Sequence, residues 1–298
     1  MANTISPKAL NTAFLDKLDK GFTKEAAVSI SSFTRSRLRE ESFIANKILS
    51  EMPITNADLD RDVNLDKLRK IVEIEPDSQA MYISFRGLPP SRYLNQSAVE
   101  VPFAMITTEE VKKNTIELKT RENDVRKIIS DNHVKDILAQ QDGKFIEGCR
   151  QIITDFPAQT DVFSGGLTKT NFAQALKFLP GNKLSNGCVL MNEATSKELL
   201  KWDTQDYGFE VAGEQYVKGL TISTLMGVKL IVTIKNDIVQ DNEVWFFAPE
   251  DFLGKFYTLQ DTTVYLETKG PWISFYAYKT LGMAITNTKS VFLGVFEP

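Results

Sequence analysis

Apolar positions along the chain change their rhythm. Up to about residue 180 most recur at helical spacing, interrupted by one alternating stretch. Beyond residue 186 they run together or alternate as in strands. The first helical stripe is Leu10, Phe14, Leu15, Leu18 and Phe22. A second, Leu38, Ala45, Ile48, Leu49 and Met52, runs until Pro53 stops it. Both are narrow and interleaved with charge. Helices of this kind bury little by themselves, so residues 1–75 read as an arm that needs a surface supplied from elsewhere.

Residues 78–122 read as a β excursion. Met81, Ile83 and Phe85 alternate with polar positions, then Val99, Val101, Phe103 and Met105, then Ile116 and Leu118. A polar tip with Pro89 and Pro90 separates the first two runs, and Pro102 marks an edge strand. The excursion holds too few apolar residues to form a core of its own. Asn123 then opens a helix of roughly 30 residues, to about Ile153, with a bend expected at Gly143 and Gly148. Pro157 closes it. A turn at Gly165-Gly166 leads to a short helix from Thr168 or Thr170 to Leu179, stopped by Pro180-Gly181.

The stretch "GCVLMNEATSKELLKW" predicts a strand from Cys188 to Met191, then a helix capped by Asn192, with Leu199, Leu200 and Trp202 on its apolar face. Strands follow in "YVKGLTI", "GVKLIVTI", "EVWFFA", "TTVYLET", "WISFYAYK" and "VFLGVF". A long helix early and strands late give an α+β class with segregated elements.

Composition narrows the function classes. The 298 residues are 42% apolar and 25% charged, with net charge −4. That is a soluble globular mixture, and it argues against a protein built to neutralise phosphates. No apolar run is long enough to span a bilayer, and the first twenty residues lack the order of a signal peptide. No membrane partner is expected.

Candidate chemistry is sparse. His133 is the single histidine, which removes most routes to a zinc site or a serine triad; it reads as solvated or packed against another subunit. Cys149 and Cys188 read as buried thiols. Asp58, Asp60, Asp62, Asn64 and Asp66 imitate the start of a calcium loop. Val63 and Arg69 occupy the positions that need glycine and glutamate, so a solvated loop feeding a short helix over Leu65–Val72 is expected. "GGLTKT" lacks the spacing of a phosphate loop. Glu40-Glu41 and Glu109-Glu110 have no partner suited to acid–base work. Arg35, Arg37 and Arg39 form the one basic patch. No catalytic, cofactor-binding or metal-binding residue is assigned, no cofactor is expected, and the Cys188–Trp202 unit reads as a wall rather than a pocket.

The order of parts resembles the major capsid proteins of tailed bacteriophages, with their Hong Kong 97-type fold. The resemblance rests on residues 79–122, on the long helix from Asn123 to Ile153, on the step from Gly187 to Trp202, on "GLTISTLMGVKLIVTIKND", and on the strands from "FFAPEDFLGKFYTLQDTTVYLE" to "VFLGVFEP". It implies an N-terminal arm over 1–75 and an E-loop over 76–122. A spine helix and P-domain would take 123–186 with return strands 262–298, and an A-domain 187–261. It further implies a non-enzymatic virion protein, assembled in the host cytoplasm into homo-pentamers and homo-hexamers of an icosahedral head. Portal protein, scaffold and decoration proteins would be partners, with weak, non-specific contact to packaged double-stranded DNA. An encapsulin-like nanocompartment shell is the alternative, and an unrecognised enzyme a further one.

Overall fold

In the computed structural model, the structure describes residues 42–45, 47–61, 68–75, 80–85, 87–88, 91, 97–114, 116, 125–202 and 224–297. Helix α1, Val125–Asp155, has 31 residues and is the longest element. It lies where the spacing of Ile137, Leu138, Phe145, Ile146 and Cys149 predicts, and all five are buried. The expected cap at Asn123 lies outside the described residues.

The described strands form two sheets. The smaller has six, in the order β6 (Thr160–Ser164), β13 (Val291–Glu297), β10 (Glu243–Phe247), β7 (Cys188–Asn192), β9 (Val228–Thr233) and β8 (Thr224–Leu225). Both β7 and β10 are buried along their whole length, as their unbroken apolar runs require. Alternate residues face opposite cores. Leu190, Trp245, Phe247 and Leu293 point to a core shared with Phe145, Ile146 and Cys149 of α1. Val189, Phe246, Phe292 and Phe296 point to a second core. That core is closed by α2 (Lys169–Ala175), α3 (Phe178–Gly181), α4 (Glu193–Ser196) and the 3₁₀ turn Lys197–Lys201. Thr168 caps α2 by accepting the Asn171 N–H, and Asn192 caps α4 by accepting that of Thr195 at 2.7 Å.

The larger sheet is built on two long strands, β11 (Gly254–Lys269) and β12 (Trp272–Ile285), paired antiparallel with register shifts between Thr258 and Thr263. Its order is β1 (Glu51–Pro53), β11, β12, β4 (Ala98–Thr107), β3 (Leu68–Glu73) and β2 (Asp60–Arg61), with β5 (Val111–Asn114) also on β12. The C-terminal strands divide: residues 262–285 belong to this sheet, and β13 to the smaller one. Phe256 and Leu281 join the α1 core, so one apolar cluster links helix and both sheets.

Several expectations change. The run Leu38–Met52 is not a helix where it is described. Residues 44–49 form a turn, and β1 follows, parallel to β11. Ala45, Ile48 and Leu49 are buried in the chain's own core, beside Phe43 and Ile44. An i, i+3, i+4 pattern also suits one turn wedged into a core, and Glu51–Pro53 finds a free edge of β11. Leu65–Val72 is not helical over its described part. Leu68–Glu73 is a strand on β4, because Lys70 and Val72 pair with Val101 and Val99. Met81–Phe85 is not a strand. The ribbon partner of β4 is therefore β3, and a strand falls at Val111–Asn114, whereas Ile116 is not in one and Leu118 lies outside the described residues. Pro102 stands where β4 passes from β3 to β12, so only one neighbour flanks it and its missing N–H costs little. The first arm stripe, the basic patch, the tip prolines and the "YVKGLTI" strand lie outside the described residues.

Candidate functional site

The ribbon of β3 and β4 runs out from the body. β4 pairs with β12 through Phe103–Thr107 and with β3 through Ala98–Pro102. Arg69 and Glu100 form an ion pair across it. Beyond β3 lies the stretch 80–88, where the structure leaves large apolar side chains in water. Tyr82 is 107% exposed, Phe85 105%, Leu88 90%, and Met81 and Ile83 are at least half exposed. A tight turn, Gly87 N–H donating to Ser84 O at 2.8 Å, holds part of it. Five such residues within eight positions make a contiguous exposed apolar segment, a feature that marks interaction surfaces. Leu68, Ile71 and Met105 extend this exposure along the ribbon.

A second feature lies inside. Ser42 donates to Asp142 Oδ1 at 2.7 Å, and Lys235 Nζ is 2.7 Å from Asp142 Oδ2. Gln141 Nε2 reaches Ser42 Oγ at 3.4 Å, while Lys279 Nζ donates to Gln141 Oε1 at 3.0 Å and pairs with Glu51 at 3.1 Å. Thr258 donates to Glu51 in turn. This network joins the 42–51 segment to α1, to both long strands and to the end of β9. Burial pushes the Asp142 carboxyl up, opposed by Lys235 and Ser42. The Lys279 side chain is 3% exposed, so it depends on these partners. None of these residues was singled out by the sequence, because a buried lysine or aspartate has no local signature.

The residues weighed for chemistry come out as follows. His133 is 1% exposed, contrary to the expectation of a solvated or inter-subunit ring. Thr108 Oγ1 lies 2.9 Å from His133 Nδ1 and accepts the Ala277 N–H at 2.9 Å. Burial pulls the His133 pKa down, and Asp136 opposes that weakly. Burial pushes both thiols up, Cys188 to about 12, so neither is a nucleophile in the folded chain.

Asp58 accepts from Thr55 N–H and Oγ1, and Asp60 accepts the Ile71 N–H at 2.8 Å, so both carboxylates serve local turns. The rest of that acidic run lies outside the described residues. Gly165 and Gly166 have positive φ and make a turn, with Gly166 N–H donating to Glu297 O. Glu110 pairs with Lys112 at 3.2 Å, and its carboxyl is held low by bonds to Ser274 and Lys112. Among the described residues, no group of three or more metal-ligating side chains comes together.

No protein-family model matches the sequence, and no curated protein matches it. Solved structures do. A chain from Mycobacterium phage Adephagia superposes with a TM-score of 0.61 at 8% identity, over 86% of this chain and 90% of that one. A chain of the bacteriophage PhiM1 mature capsid gives 0.57 at 8% identity, over 86% and 87%. A virus-like particle from Pyrococcus furiosus gives 0.54 at 14% identity, over 90% and 99%. At these identities the likeness is one of fold: the α+β architecture described above is that of phage capsid chains.

Proposed function

We propose that this chain is the major capsid protein of a tailed bacteriophage, a structural subunit without enzymatic activity that assembles with its own copies into the icosahedral head. The observation that carries the reading is the pairing of a closed core with an exposed apolar stretch, Met81, Tyr82, Ile83, Phe85 and Leu88, beyond the ribbon. A subunit with the fold of capsid chains has a use for such a stretch, which is to cover it with a neighbour. The parts named by the resemblance then map as an arm over 1–75, an E-loop over 76–122, a spine helix and P-domain over 123–186 with strands from 262–298, and an A-domain over 187–261. The segment from Ser42 to Pro53 is bound into the body, so the free arm would begin before it. Portal, scaffold and decoration proteins, and shallow contact with double-stranded DNA, belong to the same reading. The virion is its place, after assembly in the host cytoplasm.

A second reading, an encapsulin-like shell, draws on the likeness to the Pyrococcus furiosus particle, whose chain is covered almost completely. Expression of the chain alone, followed by light scattering and negative-stain imaging, tests both. Closed shells are expected. Co-expression with the neighbouring phage-type genes, if present, separates them: a head with a unique portal vertex and packaged DNA supports the first reading, and closed shells filled with host-derived protein support the second. A stable monomer at high concentration contradicts both.

A further inference from the structure

His133, the chain's single histidine, heads a buried stripe on α1. His133, Ile137, Gln141 and Phe145 recur every fourth residue, and all four are 2% exposed or less. The ring is held at one end. Thr108 Oγ1 lies 2.9 Å from Nδ1 and also accepts the Ala277 N–H, so α1, the residue after β4 and the middle of β12 meet at one hydroxyl. At the other end Nε2 is buried and has no hydrogen-bonding partner in the protein. A neutral imidazole tolerates this at the cost of one unmet bond. An imidazolium does not, because both its nitrogens donate and nothing receives the proton on Nε2. The rest of the stripe is fastened separately. Gln141 and Asp142 are bonded to Lys279, Ser42 and Lys235, and Phe145, Ile146 and Cys149 lie in the core shared with both sheets. Among the described residues of α1 before Gln141, only His133 has a polar side-chain bond to the sheet. Gly143 follows that clamp, where a helix is weaker by about 1 kcal/mol than with alanine.

We infer that His133 is an acid-operated latch: neutral, it holds the first half of α1 on the larger sheet, and protonated, it swings out and that half of the helix lets go. Asp136 gives the charged ring a place to go. It lies three residues along α1, is exposed, and acts on His133 in favour of the protonated form. The other charged groups near the ring are exposed or already engaged. On α1, Lys135 is exposed. β12 presents Ala277, and Lys279, two positions on, is bound to Gln141 and Glu51. Past Thr108 the chain continues into Glu109, which is exposed, and Glu110, which pairs with Lys112. The direction follows from linkage. Burial holds the pKa of the closed ring below 6.5, and a ring in water beside Asp136 is free of that cost, so the open form binds the extra proton and acid favours it. At pH 5 the open form gains by up to about thirtyfold. The inference concerns the single subunit and stands whether the shell is viral or cellular.

The test is hydrogen–deuterium exchange of the full-length chain at pH 7 and pH 5, corrected for the pH dependence of the exchange chemistry and mapped by mass spectrometry. Peptides over residues 133–140 should exchange about tenfold faster at pH 5, while those over β7 and β10 keep their protection. In His133→Gln the acceleration over 133–140 should vanish, since an amide does not titrate there. Asp136→Asn leaves the buried ring in place and should need a lower pH for the same acceleration. No acceleration in the unaltered chain, an equal one in His133→Gln, or one spread evenly over both sheets overturns the inference. If His133→Gln does not fold, Asp136→Asn decides, and an unchanged pH requirement there overturns the inference as well.

Discussion

The two sheets treat apolar residues in opposite ways. In the smaller sheet Trp245, Phe246 and Phe247 are each 1% exposed or less, locked between two cores. On the larger sheet's ribbon and the stretch beyond it, residues of the same size stand in water. Hydrophobicity alone therefore does not say which region is core. The difference lies in what is packed on each face. The smaller sheet has helices from its own chain on both sides, whereas among the described residues none covers the large side chains of 81–88. The first region accounts for folding, and the second is consistent with association.

The comparison breaks first in the smaller sheet. Phe246→Ala should cost about 3–5 kcal/mol, read by urea unfolding, because its ring contacts Phe172 and Phe292 and leaves a cavity. A loss near zero would mean that this sheet is not the folding core. Next comes the buried network. Lys279→Ala removes one charged partner of Glu51 and a donor to Gln141 and should cost about 3 kcal/mol. Lys279→Met, which keeps the volume, should also cost stability, since Glu51 and Gln141 both lose the lysine as a donor. Recovery by the double change Lys279→Met with Glu51→Gln would show that the loss comes from charge rather than packing.

Acid titration probes the seam between α1 and the larger sheet. His133 has a folded pKa below its unfolded value near 6.5, so the unfolded chain binds the extra proton. Its contribution is complete above that value and is lost as pH falls from there toward the folded pKa. Asp142 has the opposite sign: its folded pKa is raised, so its contribution grows as pH falls toward the carboxylate range. The thermal midpoint should therefore decline from pH 7 to 5.5, and His133→Gln should flatten that slope. A slope unchanged in His133→Gln would mean that the buried ring does not set it.

What could be seen from the residues follows the same division. The helix Val125–Asp155, the fully buried β7 and β10, and the Asn192 cap were legible because each is a local pattern with one physical solution. The turn at 44–49 was not, because an i, i+3, i+4 stripe fits both an amphipathic helix and a wedge in a core. Met81–Phe85 alternates like a strand, but none of the described strands pairs with it. β6 escaped because Thr160–Ser164 carries only Val162 and Phe163 and depends on its parallel pairing with β13. The polar network was invisible, as bonded members such as Glu51 and Lys279 lie more than 200 residues apart and converge only in three dimensions. The stretch was read as part of an excursion with too few apolar residues for a core of its own; its side chains are exposed, and its backbone is irregular rather than a strand.

The smallest effect on folding should come from the ribbon end. Phe85→Ser with Leu88→Ser removes two nearly fully exposed side chains, so unfolding should shift by no more than about 0.5 kcal/mol. If that stretch is buried between copies, the same pair should raise the concentration needed for assembly by about tenfold or more, equivalent to about 1.4 kcal/mol per contact.

The most direct test is to measure both quantities on that one double variant, with light scattering and negative-stain imaging for assembly and thermal unfolding for the subunit. The account predicts that the unaltered chain forms closed shells, and that the variant keeps its unfolding midpoint but fails to form shells at the same concentration. Shells that form equally well from the variant, or a chain that stays monomeric without the changes, would contradict it.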